Sequence, residues 1–397
     1  MKVSFFVHDL GGNPIVRIVP IARAFERLGW EVEVVGFLFG GKPVFGPYAD
    51  LYDYRTVEVK GYIWELVRKV RALGDLASGD IVYAGKPLLS TFLPALQRSA
   101  KGRKLPLFLD VEDDDVINFR IRGPLDVLRK MRHLHASGNY VHNAWLRRMV
   151  KYCSGVTVSS TKLQGYYGGV RLLHGPGNAM YGCPIGSSEQ CSLREQFGLP
   201  EERICFFFAG KARKHKGLDL FVQAVADSSD LPFQLVLAGE PSQEVFIEAK
   251  ERMGGRCSLM GVLPHPEIGS LVQACDVGLV LQENTEYAES QIPAKLLEAF
   301  QHERPVLATK VGDLPMLVSG SDLGDSRGWV LSERNANALM DLLKEIHKDF
   351  QSGASGARQK GRAAIGFYEE KASTEAIAKV LMGFPAIAKR TAKLVTT

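Results

Sequence analysis

The sequence predicts an α/β protein built from two doubly wound parallel sheets, and three observations carry that prediction. The chain has 397 residues, more than one hydrophobic core usually serves, so two domains are expected. Short apolar runs of strand length alternate with segments in which apolar residues recur at helical spacing. Two such series occur, one on each side of a Gly-, Pro- and Ser-bearing stretch at 170–190. Strands apolar on both faces belong to a parallel sheet covered by helices on both sides. Apolar residues make up 46% and charged residues 23%, the balance of a globular chain and not of a disordered one.

The first series opens with a strand at Lys2–Val7, a tight turn at Gly11-Gly12 and a helix over Ile15–Leu28, with Ile18, Ile21, Ala22 and Phe25 on one face. EVEVVGF then reads as a second strand, completing a βαβ unit. A full G-x-G-x-x-G is lacking. Gly11 and Gly12 therefore carry two readings: ordinary residues of a strand-to-helix turn, or a close backbone approach to a ligand at the sheet's C-terminal edge. Further strands follow in DIVYAG (80–85), LPLFLDV (105–111) and GVTVSS (155–160).

The second series is RICFFFAG (203–210), FQLVLAG (233–239), RCSLMG (256–261), DVGLVL (276–281) and PVLAT (305–309). These runs place a first domain at 1–180 and a second at 195–368. The helical segment Tyr368–Lys389, within a tail at about 370–397, is expected to pack back on the first. Two doubly wound, Rossmann-like domains facing across a cleft, with ligand at the strand ends, is the expected architecture.

Six cysteines occur without a C-x-x-C pair. Cys205 and Cys275 lie inside apolar runs, where a thiol behaves as a small hydrophobe, so free buried thiols of a reducing compartment are expected. The N-terminal MKVSFFVHDLGG reads as strand and turn, not as a signal peptide. No apolar run approaches the ~18 residues needed to cross a bilayer. A cytoplasmic protein is expected, with peripheral contact to a membrane as an addition.

Chemistry concentrates in the second series. In ESQIPAKLLEAFQHERPVLATKVGD (289–313) a helix is expected to open near Pro293, because a proline's missing N–H is no loss in a first turn. The amides around Gln291 and Ile292 would then face whatever sits above the helix, and unpaired donors with partial positive charge suit phosphate. Glu298 follows about a turn and a half later, within reach of a hydroxylated group joined to that phosphate. After the strand FFFAG come Lys211, Arg213, Lys214, His215, Lys216 and Gly217. In a doubly wound domain this cationic loop leaves the sheet at the same edge as the Gln291–Pro293 helix start, so both are expected to grip one diphosphate. Taken alone, such a loop is equally readable as a solvated basic turn.

These stretches resemble the retaining GT-B glycosyltransferases, family 4 in particular. AGKARKHKGLDLFVQAV is similar to the family's G-[RK]…K-G segment, and LVLAGE, GVLPHPEIGSLVQACDVGLVL and PAKLLEAFQHERPVLATKVGDLP continue in family order. HDLGGNPIVRIVPIARAFERLGWEVEVVGF resembles the family's opening strand, glycine turn and helix. The resemblance implies that Lys211 and Lys216 neutralise the donor diphosphate as the sugar bond breaks, and that Glu298 binds the nucleotide ribose. It further implies donor contacts at Gly11, Gly12, Gly210, Gly239, Ser290, Gln291, Ile292 and Pro293, and backbone contacts to the base near Val262 and Leu263. The family's first glutamate of E-x7-E is replaced by Ser290, with Glu289 and Glu286 nearby. PAKLLE matches a P-x-K-x-x-E form found in some branches, through Pro293, Lys295 and Glu298.

A second departure follows LPLFLDV. Many relatives carry a histidine there, and this chain has Glu112-Asp113-Asp114-Asp115. Asp113-x-Asp115 matches the D-x-D metal motif of another fold, yet the lysines and helix end already offset phosphate charge, so no metal and no cofactor is expected. Asp113 instead reads as a catalytic-side group receiving acceptor hydroxyls, or as a cap of the next helix. His8 reads equally as facing the cleft or as a bonded core histidine.

Between residues 116 and 152 eight Lys and Arg and three His stand against one acid, Asp126, with Trp145 and Tyr140 interleaved. This bias suits an anionic membrane surface or a lipid-linked acceptor, and a polar soluble acceptor stays open beside it. Nucleic acid would meet the same charge, but no recognised binding module is present. The expectation is a glycosyltransferase taking a nucleotide sugar and a hydroxyl acceptor. Its competitors are a nucleotide-sugar epimerase on the same fold and a non-catalytic nucleotide-sugar-binding protein.

Overall fold

The computed structural model describes residues 1–101, 104–113, 123, 140–175, 185–226, 228, 231–320 and 325–395. The chain divides into two units, Met1–Gly177 with Ser373–Thr397, and Asn178–Ala372.

In the first unit seven parallel strands form one sheet. They are β1 (Lys2–Val7), β2 (Glu31–Phe39), β3 (Tyr54–Val59), β4 (Ile81–Gly85), β5 (Leu107–Val111), β6 (Gly155–Val158) and β7 (Val170–Arg171). Their order is β3-β2-β1-β4-β5-β6-β7. The winding reverses between β1 and β4, and the crevice at such a reversal is where doubly wound sheets take ligands. The Val- and Phe-rich strands are buried on both faces, so two apolar layers cover the sheet. Helix Ile15–Arg27 and the C-terminal Ile377, Leu381 and Ile387 cover one face, and helices Ile63–Leu76 and Phe92–Ala100 cover the other. A buried ion pair crosses the first layer: Arg17 Nε donates to Asp110 Oδ2 at 2.7 Å and its Nη2 to Oδ1 at 2.8 Å. Asp110 also accepts from the Thr157 hydroxyl at 2.7 Å, which locks β5 against β6.

The second unit repeats the plan with six strands: β8 (Ile204–Ala209), β9 (Phe233–Ala238), β10 (Cys257–Gly261), β11 (Val277–Val280), β12 (Val306–Thr309) and β13 (Gly328–Leu331). Their order is β10-β9-β8-β11-β12-β13, with the reversal between β8 and β11. The fold is GT-B, two parallel-sheet α/β units in one chain.

Three strands had no counterpart in the sequence reading: β3, β7 and β13. All lie at or next to a sheet margin, where one side of the strand stays wet and polar residues dilute the apolar run; YRTVEV is an example. The 170–190 stretch is not wholly irregular, since it holds β7 and the start of helix Ser187–Gln196. Arg194 of that helix pairs with Asp276 and donates Nε to the Ala274 carbonyl at 3.0 Å. Tyr368–Lys389 is not one helix but parts of three, Ser355–Lys371, Thr374–Met382 and Pro385–Val395. The Ser373 hydroxyl accepts from the Ala376 amide at 3.1 Å and restarts the helix after Lys371. Gly383 and Pro385 produce the second break. Cys205, Cys257 and Cys275 are buried and free, Cys153 is half-buried, Cys191 is exposed, and Cys183 lies outside the described residues. Burial pushes the Cys205 thiol up to about 12, so it stays protonated and unreactive.

Candidate functional site

In the second unit the reversal between β8 and β11 organises the site. The loop leaving β8 begins at Gly210 (φ +100°), and the one leaving β9 at Gly239 (φ +150°). A Cβ on Gly239 would stand 2.7 Å from the Gly210 carbonyl oxygen, so these loops touch only because Gly239 has no side chain. Gln243 fixes the next residue, accepting from the Ala212 amide at 2.6 Å. A single 3-10 turn, Lys214–Lys216, then ends at Gly217 (φ +72°). Here a Cβ would lie 1.7 Å from the Leu281 carbonyl oxygen. The Glu283 amide donates to the His215 carbonyl at 2.9 Å. The cationic loop is thereby pressed against the exit of β11, over the crevice. Lys211, Arg213 and Lys214 are exposed and Lys216 is half-buried. The first three line an open depression of about 910 Å3 shared with Glu240, Glu244 and Glu248.

Across the crevice stands helix Ala294–Gln301. Lys295 and Glu298, three residues apart, share one face. The Lys295 ammonium sits 3.2 Å from the centre of the Phe208 ring on β8. Burial, with Lys216 adding to it, holds its pKa well below the usual lysine range, and Glu298 only partly offsets this. Burial pushes the Glu298 carboxyl up to about 7, against the pull of Lys295. Burial, Lys216 and Arg213 likewise lower His215. Such a cluster is short of negative charge, and an anion would favour the charged lysine. Gln282, at the exit of β11, is 1% exposed, and neither atom of its carboxamide has a hydrogen-bond partner among the described residues.

Two expectations for this helix start need correction. The Gln291 amide donates to the Ala288 carbonyl at 3.1 Å, closing the 3-10 turn Ala288–Ser290, and so does not face a phosphate. Pro293 is the N-cap residue and has no N–H to offer. The outward-pointing donors are the first-turn amides, at Ala294 and Lys295, one step further along the chain. Ile292 is half-buried beside them. Ser290 is fully buried, and its hydroxyl donates to the Tyr287 carbonyl at 2.7 Å. It shapes the turn in which the family's glutamate would stand. Val262 is 70% exposed after Gly261 (φ +71°), while Leu263 packs against the apolar cluster to which Leu199 and Leu271 belong.

In the first unit the strand ends at the β1/β4 reversal carry a second polar group. His8 Nδ1 lies 2.5 Å from the Ser90 hydroxyl, and its ring tilts against Phe39. Lys86 follows β4 in the left-handed region (φ +72°), unusual for a residue with a side chain, and pairs with Asp113 at 2.7 Å. Burial and the neighbouring Asp113 push the Glu112 carboxyl up to about 7. The glycine turn has a local explanation: the Gly11 amide donates to Asp9 Oδ1 at 3.0 Å and the Gly12 amide to the Asp9 carbonyl at 3.3 Å. A Cβ on Gly11 would come within 3.0 Å of Lys42 Cβ. Protein contacts account for this glycine, and both amides expected to approach a ligand are bonded to Asp9. Asp115 lies outside the described residues, as do 116–122 and 124–139 of the basic stretch. Within its described part Arg147 stacks over Tyr166 and Tyr167, and Trp145 is 41% exposed. Among the described residues no three His, Cys, Asp or Glu side chains gather as metal ligands would.

Residues 190–361 match the family model described as Glycosyl transferases group 1. Over 188 residues the chain is 27% identical to a D-inositol 3-phosphate glycosyltransferase of Xylanimonas cellulosilytica, covering 45% of this chain and 43% of that protein. The chain thus spans less than half the length of this curated relative. Among solved structures, Anabaena HepE in complex with UDP superposes with a TM-score of 0.69 at 15% identity, covering all of both chains. Sucrose-phosphate synthase from Thermosynechococcus elongatus does so with a TM-score of 0.68 at 17% identity, over 100% and 99% of the two chains. These likenesses establish the fold.

Proposed function

We propose, for a chain whose residues 190–361 belong to the glycosyl transferases group 1 family, that it transfers a sugar from a nucleoside-diphosphate donor to a hydroxyl acceptor. One observation carries the reading. At the β8/β11 reversal, inside the family segment, the buried Lys295 feels Lys216 and Glu298 together, a group with a deficit of negative charge. Lys216, Lys211 and the helix's first-turn amides stabilise the diphosphate that departs when the anomeric C–O bond breaks. Glu298, as a carboxylate, accepts hydrogen bonds from the ribose hydroxyls. The acceptor oxygen forms the new bond to the anomeric carbon, with retention of configuration, and its proton leaves with the diphosphate. No metal is needed where lysines and amides meet that charge. Relatives of this fold solved with UDP and UDP-glucose support the donor class.

The acceptor side is assigned to the first unit, near His8, Lys86, Glu112 and Asp113, and a lipid-linked acceptor at the cytoplasmic face of a membrane suits the basic stretch. Among the described residues no helix is long and apolar enough to cross a bilayer. The burial of Ser290 where the family has a glutamate favours one second reading, a nucleotide-sugar-binding protein without turnover. Incubation with UDP- and GDP-sugars, with and without hydroxyl acceptors, separates the readings. Transfer gives acceptor-dependent release of nucleoside diphosphate, an epimerase gives a rearranged sugar nucleotide without acceptor, and a binder gives neither. Lys216→Ala is expected to lower kcat/KM about 100-fold or more, with a melting temperature close to that of the parent. Unchanged turnover in that variant would remove Lys216 from the mechanism.

A further inference from the structure

Most of the exposed large apolar side chains of the first unit fall in two stretches of the chain: Trp145, Tyr152, Tyr166 and Val170 in one, and three closely spaced residues in the other. Tyr62, Trp64 and Val67 are 50%, 47% and 51% exposed, and all belong to the start of helix Ile63–Leu76 or the residue before it. The Tyr62 and Trp64 rings stack on each other, 4.8 Å apart and within 9° of parallel. The helix has a complete inner face already, with Leu66, Val70 and Leu73 buried against the sheet. Its outer face therefore has no folding task that calls for aromatics. An ordinary solvated helix face would carry mixed charge there instead.

What continues that outer face is positive. Trp64, Val67, Arg68 and Arg71 follow at spacings of three and four residues, so they form one stripe. The acids of the same helix are already engaged, Glu65 with Lys69 at 2.9 Å and Asp75 with Lys101 at 2.6 Å. An aromatic pair beside two guanidinium groups is the combination that sits at a bilayer's polar boundary. The rings enter the interfacial layer while the cations meet lipid phosphates.

The place in the fold adds a reason. β3 runs parallel to β1 with one strand between them, so its end lies two strand spacings, roughly 10 Å, from the end of β1. Tyr62 and Trp64 leave β3 at the sheet edge that also carries His8, Lys86 and Asp113. We propose that the face formed by Tyr62, Trp64, Val67, Arg68 and Arg71 docks the first unit on an anionic bilayer, turning this sheet edge towards the lipid headgroups. The docking needs no assumption about the reaction.

Vesicle co-sedimentation of the full chain tests it, with phosphatidylcholine alone against phosphatidylcholine mixed with phosphatidylglycerol. The parent is expected to bind the anionic vesicles at least tenfold better. Arg68→Glu with Arg71→Glu should reduce that binding about thirtyfold, and Tyr62→Ser with Trp64→Ser about tenfold. All four side chains are exposed, so circular dichroism and melting should match the parent. Parent-like binding by both double variants would overturn the proposal and move attachment to another surface, such as residues 140–152. Equal binding to neutral vesicles, or none to either, would also overturn it. So would concentration-dependent dimerisation abolished by Trp64→Ser in a chain that ignores vesicles, since a second copy would then cover the face.

Discussion

Glu298 shows how one side chain can carry both a binding role and a stability cost. Its folded-state pKa, about 7, lies above the ordinary value of 4.5 because burial outweighs the attraction of Lys295. A carboxyl raised in this way contributes stability below its unfolded pKa, and the contribution is lost as pH rises through about 7. In the nucleotide-free protein Glu298→Gln should thus gain stability relative to the parent between pH 5 and pH 8. The gain should be on the order of 1.4 kcal/mol for each unit of pKa difference. Thermal melts of both proteins across that range measure it, and the difference isolates Glu298 because Glu112, raised in the same window, is common to both. Nucleotide binding should move the other way. The ribose hydroxyls need a carboxylate, so as pH drops from 8 to 6 affinity for nucleoside diphosphate should fall more in the parent than in the weaker-binding Glu298→Gln, which keeps the titration of the diphosphate and of Lys295. Parallel pH profiles in the two proteins would separate Glu298 from the ribose.

At the scale of elements, the loop after β8 is held by what glycines lack rather than by what lysines make. Gly217 combines a left-handed backbone with a contact that leaves no room for a methyl group beside the Leu281 carbonyl. Gly217→Ala should cost at least about 3 kcal/mol, measured by urea unfolding, and should also lower donor affinity, because the Lys214–Lys216 turn would be pushed off the exit of β11. A variant as stable as the parent would mean that the loop yields easily and that its position is not fixed by this contact. The sequence announced the backbone of this element well: FFFAG followed by clustered cations and K-G is matched by β8 and the Lys214–Lys216 turn in that order. The helix start at 293 was legible in position but not in its hydrogen bonds. Whether the Gln291 amide faces outwards depends on the 3-10 turn Ala288–Ser290, and short turns of that kind leave no periodicity to read.

On the scale of the whole molecule, the last 25 residues belong to the first unit although they follow the second in sequence. Ile377, Leu381 and Ile387 are buried among residues of helix Ile15–Arg27 and β1, Phe384 meets Phe108 edge-on at 5.4 Å, and Trp30 Nε1 donates to the Thr391 hydroxyl at 2.9 Å. Four buried apolar side chains at about 2 kcal/mol each are worth roughly 8 kcal/mol to that core, as much as a domain's net stability. Truncation after Ala372 should therefore unfold the first unit and leave the second one's melting transition in place. Two transitions by calorimetry in the parent and one in the truncated chain are expected; an unchanged first transition would show the tail to be dispensable.

The sequence by itself determined the fold class, because a parallel sheet needs doubly apolar strands alternating with amphipathic helices and that alternation is local. It also determined which loop gathers cations, since charge and glycine spacing are read directly from the chain. Only the tertiary structure decided how those residues behave. Lys295 resembled any motif lysine until Phe208 and Lys216 were found beside it. Asp113 was one of four consecutive acids until Lys86 was found paired with it. Gly11 was any glycine of a strand-to-helix turn until Asp9 and Lys42 were found against it. In each case a deciding partner is distant in sequence, and a pKa, an ion pair or a steric limit is set by what stands within a few ångströms in space.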